Sequence, residues 1–214
     1  MDFIPYDTLL SRSEEEQVIK KSRFIGAASP AQTEEEALAF LAARRNAHPD
    51  ASHTCFAYII GPNKGIMRYS DDGEPGGTAG MPIIETMKAR NVTNCAVAVT
   101  RYFGGILLGA GGLTRAYASS AALAVNAAGI GTVWPTKRLL IDVPYTLLSR
   151  FEYLLKNDPR AVIEDKSFTD SVTFTLIARS RDADAFCASV TDSTNGVCEP
   201  LEMEEFYRAW REDS

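Results

Sequence analysis

The chain has 214 residues, of which 45% are hydrophobic and 23% charged, and this ordinary globular composition suits one large domain or two small ones. No apolar run approaches the ~20 residues of a membrane-spanning helix, and the N-terminus lacks a basic region followed by an apolar run. We therefore expect a soluble, cytoplasmic protein without membrane contact. The net charge of −6 disfavours a broad surface for phosphate backbones but leaves room for a local basic patch.

The first half of the chain predicts alternating strands and helices. Thr33 followed by Glu36 forms a capping box, which predicts the start of a helix. Pro82 suits the first turn of a second helix, and Gly129 suits the end of a third, alanine-rich helix over 113–128. The predicted strands are residues 17–28, 53–60, 66–69 and 94–100.

Residues 129–135 predict a linker, because helix-stopping glycines and Pro135 coincide there with a change in charge balance. Residues 1–131 carry 12 Lys+Arg against 13 Asp+Glu, whereas residues 132–214 carry 10 against 15. Beyond the linker the pattern predicts the order β-α-β-β-α-β of a ferredoxin-like domain. Its predicted elements are strand 137–143, helix 145–156, strands 161–166 and 172–178, helix 183–191 and strand 197–204.

These patterns together predict an α+β protein of two domains. The first covers residues 1–131, and the second, ferredoxin-like domain covers residues 136–207. Residues 208–214 are expected to form a tail, since the acidic and aromatic sequence from residue 205 onward suits a short helix or a loose end.

The four cysteines are scattered, without a close pair of the C-x-x-C kind, and three lie in apolar surroundings. Such surroundings favour buried, reduced thiols over disulfides or a structural zinc site. We expect neither a metal nor a cofactor. The cysteines are Cys55, Cys95, Cys187 and Cys198.

Nine of the 15 glycines fall between Gly73 and Gly112, in two clusters at residues 70–82 and 100–117. The second cluster follows a predicted buried strand and precedes a helix, and a glycine loop in that position exposes N–H groups for an anion. Arg101 and Arg115 flank it, so we predict one pocket that accepts phosphate. The alternative is that both arginines form internal ion pairs with the acids of the first cluster. The glycines of this predicted pocket are Gly104, Gly105, Gly109, Gly111 and Gly112.

Three acids, Asp71, Asp72 and Glu74, form the polar part of the first cluster. Three carboxylates suit a hard cation, but equally the fixing of turns or the binding of a partner, and we favour the latter two. His53 and Cys55 lie on one face of a predicted strand without a third orienting residue. The sequence thus identifies no catalytic residue.

The two clusters resemble the signature of the IMPACT family, in its bacterial YigZ-like branch. The matching segments are SDDGEP, GTAG and Pro82 in the first cluster, and RYFGGI, LG, GGL and RAY in the second. Two earlier segments, KKSRF at residues 20–24 and HTC at residues 53–55, match the family's first strands. The resemblance spans residues 15–130 and is specific, because several long motifs occur in order.

The resemblance implies an N-terminal domain like the second domain of ribosomal protein S-five and a C-terminal domain like the last domain of elongation factor G. Elongation factor G joins these two fold types where it contacts the ribosome, and the eukaryotic relatives regulate translation. Those relatives carry an extra N-terminal domain that this chain lacks, so their specific role does not transfer. The family has no established reaction.

Two functions remain open from the sequence. The first is a binding module that engages a ribosomal, RNA or translation-factor surface, through a groove lined by the acids of the first cluster, both arginines and the first two loop glycines. An acidic protein of this kind also suits mimicry of nucleic acid towards a basic partner. The second is a small-molecule phosphotransferase, since residues 109–122 resemble the phosphate loop of the galactokinase-like superfamily.

Overall fold

The computed structural model describes residues 3–211, which form a mixed α/β protein with two sheets. The described chain divides into two compact units, residues 3–133 with 209–211 and residues 134–208. No helix among the described residues has the length and apolarity needed to cross a membrane.

An antiparallel sheet of order β2-β3-β6-β4-β5 is the centre of the first unit. Helices α2 and α3 share a core with one face of it, and α1 shares a smaller core with the other. The strands are β1 (Tyr6–Leu9), β2 (Ser13–Ile19), β3 (Ser22–Pro30), β4 (His53–Ile60), β5 (Ile66–Ser70) and β6 (Cys95–Tyr102). The helices are α1 (Glu34–Ala47), α2 (Gly80–Ala89) and α3 (Ala110–Ala128).

The predicted single strand over 17–28 is wrong, because the chain reverses in its middle. Ile19 pairs with Ser22, which leaves Lys20 and Lys21 as a two-residue turn between β2 and β3. Both lysines have positive φ, 46° and 66°, as a type I′ hairpin turn requires. This conformation is unfavourable for side chains other than glycine, asparagine or aspartate.

The division between the two units, after Val133, falls within the predicted range 129–135. These residues do not form a linker, however, since residues 130–143 form one strand, β7 (Ile130–Val143). Residues 130–133 pair with β1, and residues 136–143 pair with another strand, β9 (Val172–Arg179). Pro135 lies between these two ladders, where its missing N–H breaks no pairing with either strand. A proline in mid-strand therefore does not end the strand here.

The second unit has the predicted order β-α-β-β-α-β, with sheet order β7-β9-β8 and with β10 also paired to β7. Its core lies between this sheet and two helices. The remaining elements are α4 (Leu148–Asn157), β8 (Ala161–Phe168), α5 (Ser180–Ser193) and β10 (Leu201–Trp210). The predicted tail over 208–214 is wrong for residues 208–210, which end β10, and residues 212–214 lie outside the described part.

Candidate functional site

Asp71 fixes the chain that leads into α2. Its Oδ1 accepts hydrogen bonds from the backbone N–H groups of Ala79 (3.0 Å) and Gly80 (2.8 Å), and its Oδ2 accepts one from Gly77 (2.8 Å). Burial raises the pKa of this carboxyl, but the three N–H donors outweigh burial and leave the pKa below its usual range. Asp71 is thus committed to its own loop rather than to a ligand.

Asp72 ties the same loop to β4. Its Oδ2 accepts the backbone N–H of Thr54 at 2.6 Å, and its carbonyl oxygen lies 2.7 Å from Nδ1 of His53. The side chain remains partly exposed, and Arg45 approaches it at 3.9 Å. Among residues 3–211, no group of three or more His, Cys, Asp or Glu side chains is arranged to hold a metal ion.

Glu74 and Arg101 form a buried ion pair, in which Arg101 Nη1 lies 2.7 Å from Glu74 Oε1. The Arg101 side chain is 6% exposed and the Glu74 side chain is 3% exposed. Tyr117 donates its hydroxyl hydrogen to the same Oε1 of Glu74 at 2.7 Å. Arg101 Nη2 donates to Ser22 Oγ at 3.4 Å, while its buried Nε has no acceptor. For Arg101, the alternative of an internal ion pair with the first cluster is therefore correct.

Cys55 lies in this same buried cluster. Its thiol donates to the carbonyl oxygen of Asp71 at 3.0 Å, and burial raises its pKa to about 12. Burial also raises the pKa of Tyr117 well above its usual range. A thiol in this environment is not ionised at neutral pH, so it cannot act as a nucleophile.

Arg101 also lies over two aromatic rings. Its guanidinium carbon is 5.4 Å from the ring centroid of Phe24 on the core side and 5.4 Å from that of Phe103. Phe24 is fully buried, whereas Phe103 is 48% exposed. The ion pair with Glu74 thus supports an aromatic ring at the surface.

The glycine loop, residues 103–109, begins at that ring. A Cβ on Gly104 would lie 2.1 Å from the backbone carbonyl group of Lys21, so the loop packs directly against the β2–β3 turn. Gly105 and Gly109 have positive φ, 80° and 72°. Between them the loop exposes two further apolar side chains, Ile106 and Leu107, and Leu107 is 83% exposed.

The last two glycines of the second cluster do not belong to the loop. Helix α3 begins at Ala110, so Gly111 and Gly112 are helical and Gly109 is the N-cap. Arg115 is consequently in the second turn of α3 rather than the first. The helix dipole disfavours a cation only weakly in the second turn. The segment that resembles a phosphate loop, residues 109–122, is thus the N-cap and the first turns of α3.

The predicted single pocket for both arginines is wrong. Arg115 is exposed and lines a pocket of about 300 Å³ together with Lys20, Ile19, Leu108 and Gly112. Arg101 does not line it, because that side chain is buried against Glu74 between the sheet and the helices α2 and α3. The structure thus brings Arg115 together with Lys20, a residue that the sequence did not single out.

Lys20, Lys21 and the exposed apolar side chains of the loop were not among the predicted site residues. One signal was present: two adjacent lysines interrupt an apolar, strand-like run, which is also the pattern of a two-residue hairpin turn. Within residues 3–211, neither lysine nor Arg115 forms an ion pair. These three side chains, Lys20, Lys21 and Arg115, are called the cationic patch below.

Comparison with known proteins gives a family for this architecture. The Impact N-terminal domain matches residues 20–125, which include the glycine loop and the cationic patch. Over 202 residues the chain is 38% identical to the IMPACT family member YvyE of Bacillus subtilis, spanning 94% of this chain and 93% of that protein. The chain belongs to the IMPACT family.

Other IMPACT proteins match over similar lengths. The family member YigZ of Escherichia coli is 33% identical over 87% of this chain and 92% of its own. Residues 141–197 of this chain match a domain of unknown function named DUF1949. A crystal structure described as that of a hypothetical protein is 31% identical, with a TM-score of 0.59 over 94% of this chain and 98% of that one.

Proposed function

We propose that this IMPACT protein is a translation-linked binding protein that works in the cytoplasm and engages an RNA-bearing surface, such as that of the ribosome. The proposed contact surface is the cationic patch together with the glycine loop. The observation that carries the proposal is the β2–β3 turn, which holds Lys20 and Lys21 exposed in a strained conformation beside that loop.

Backbone strain at the turn supports a role for the lysine side chains. Asparagine followed by glycine is the favoured sequence for a type I′ turn, and each lysine with left-handed φ costs ~1–2 kcal/mol relative to it. Strain of this kind is typical of functional sites. Neither lysine makes an ion pair within the described chain that would offset this cost.

Charge and composition of the surface favour RNA over a small molecule. Lys20 and Arg115 share a shallow pocket, and Lys21 lies against the loop that carries Phe103. Cations beside exposed aromatic and apolar side chains are typical of surfaces that bind single-stranded nucleic acid. The whole chain carries a net charge of −6, so the cationic patch is a local positive region on an acidic protein.

The state of the titratable groups favours binding over catalysis. Asp71, Glu74, Arg101 and Cys55 are engaged in hydrogen bonds or an ion pair that hold the loop and the core. A general acid or base needs a free proton-transfer atom facing a substrate. None of these four groups offers one.

The architecture fits the fold names that the resemblance implies, which we also propose. The second unit has the element order of a ferredoxin-like domain, with the first and third of its strands, β7 and β9, paired at the centre. The first unit would correspond to the second domain of ribosomal protein S-five. A pair of such domains suits a protein that contacts the translation machinery, as in elongation factor G.

The test replaces the strained turn with one that folds better. The double variant Lys20→Asn with Lys21→Gly should raise the free energy of unfolding by about 1 kcal/mol or more, because the new residues favour the turn. The same variant should bind a labelled single-stranded RNA roughly tenfold more weakly in fluorescence anisotropy, with a shallower salt dependence. The variant is then more stable but binds RNA more weakly, and unfolding of the variant cannot explain that combination.

A matched control removes the same charge elsewhere. Arg150 and Lys156 lie exposed on α4, and Arg150→Asn with Lys156→Asn lowers the net charge equally. That control should bind RNA and co-sediment with ribosomes as the wild type does. Unchanged binding by the turn variant, or an equal loss in the control, would contradict the proposal.

A further inference from the structure

Phe103 is an exposed aromatic ring that is held in place from below. The guanidinium of Arg101 lies over the ring at 5.4 Å from its centroid, yet the residue remains 48% exposed. Its backbone N–H donates to Ser52 Oγ at 3.1 Å, and the next N–H, of Gly104, donates to Ser22 Oγ at 3.1 Å. The ring thus has a fixed base and a free surface.

The support under this ring is itself rigid. Arg101 is 5% exposed, pairs with Glu74 at 2.7 Å and has the buried ring of Phe24 on its core side. Its guanidinium carbon lies over the rings of both Phe24 and Phe103, and a planar cation packs well on aromatic faces.

A rigid ring loses little conformational entropy when a partner stacks on it. The backbone of Lys21 touches Gly104, the residue after Phe103, and Lys20 and Arg115 line one pocket with Leu108 of the same loop. A flat apolar face beside a line of cations matches the alternation of base and phosphate in an unstacked nucleic-acid strand.

We propose that Phe103 is a stacking platform for an unpaired base, and that the RNA bound by this protein is single-stranded at the point of contact. The inference rests on the proposed function and specifies its ligand. Arg101 and Glu74 are positioning residues for the platform. Bases within a duplex are already stacked on their neighbours, so a duplex cannot offer a face to Phe103.

The experiment uses a 12-nucleotide single-stranded RNA with one 2-aminopurine, and a duplex of the same sequence. Phe103→Leu keeps an apolar side chain but removes the ring, and Phe103→Trp keeps a ring. The leucine variant should bind the single strand roughly 5- to 150-fold more weakly, as loss of one stacked base predicts. The tryptophan variant should bind at least as well as wild type. The change in 2-aminopurine fluorescence on binding should vanish only with leucine.

Phe168→Leu is the matched control and should leave affinity and fluorescence unchanged, because Phe168 is 63% exposed at the end of strand β8, outside the proposed contact surface. Two outcomes would overturn the inference while the proposed function stands: Phe103→Leu binding RNA like the wild type when the Lys20 and Lys21 variant does not, or wild type preferring the duplex. Wild type that binds neither RNA nor ribosomes would overturn both.

Discussion

The buried ion pair between Glu74 and Arg101 should be the most sensitive electrostatic contact in the first unit. Its N–O distance is 2.7 Å and both side chains are more than nine-tenths buried. At an effective dielectric constant of ~20, two unit charges at that distance attract by ~6 kcal/mol. Desolvation of both ions offsets much of this, so the net value of the pair is small, but removing one partner leaves the other charge buried and unpaired.

The change to make is Glu74→Gln, which keeps an acceptor for Arg101 and Tyr117 but removes the charge. We expect it to lower the free energy of unfolding by about 3 kcal/mol, and Arg101→Met by about 3–5 kcal/mol. The double variant Glu74→Gln with Arg101→Met should lose less than the sum of its single variants, because no unpaired charge remains. Urea denaturation at neutral pH measures all four proteins.

An exposed pair at a similar N–O distance serves as the control. Arg23 and Glu16 are 2.8 Å apart, but their side chains are 50% and 44% exposed, so Glu16→Gln should leave the unfolding midpoint unchanged. A loss below 1 kcal/mol for Glu74→Gln, or strict additivity in the double variant, would refute the reasoning from burial. Equal losses for the buried and exposed pairs would refute it as well.

Three further predictions concern single residues. Gly104→Ala should lower stability by about 1–3 kcal/mol, because its Cβ would lie 2.1 Å from Lys21. Gly111→Ala in α3 should raise it by about 0.5–1 kcal/mol in the same thermal melts, because its Cβ would make only an ordinary contact, 3.6 Å from Arg115 Nη1. The pKa of Asp71 is depressed below its ordinary value of 3.8, so its contribution is complete above about pH 4 and lost as pH falls through the folded value. Asp71→Asn should therefore be less stable at pH 7 and show a flatter acid limb in pH-dependent urea titrations; parallel curves would contradict this. With a pKa of about 12, roughly one Cys55 thiol in ten thousand is ionised at pH 8, so iodoacetamide followed by peptide mapping should find Cys187 alkylated first, and early labelling of Cys55 would disprove its burial.

The sequence predicted an element correctly where interactions between neighbouring residues determine it. Thr33 caps α1 by accepting the N–H of Glu36, as the capping box predicted, and β4 has the predicted bounds. Pro135 misled the prediction because its effect depends on which strand lies opposite, and the change of partner along β7 is not visible in the sequence. The strand β10 was placed too early for the same reason, since its pairing is long-range.

The candidate site also depends on contacts between residues that are far apart in the sequence. Arg101 and Glu74 are 27 residues apart, and only the alternation of β6 against the packed helices decides that Arg101 points inward. Both ion pairing and anion binding were consistent with the sequence, and burial selects the first for Arg101. Lys20 and Arg115, 95 positions apart, meet because the hairpin turn lies beside the start of α3.

The contact between Gly104 and Lys21 has a consequence for how such a protein can change over generations. The two residues are far apart in the chain but leave no room even for a methyl group between them. An insertion in the turn, or any side chain at position 104, would push the two segments apart and displace the loop from the lysines. Drift in one segment is therefore restricted by the other, and a lineage that lengthens the turn must also reshape the loop.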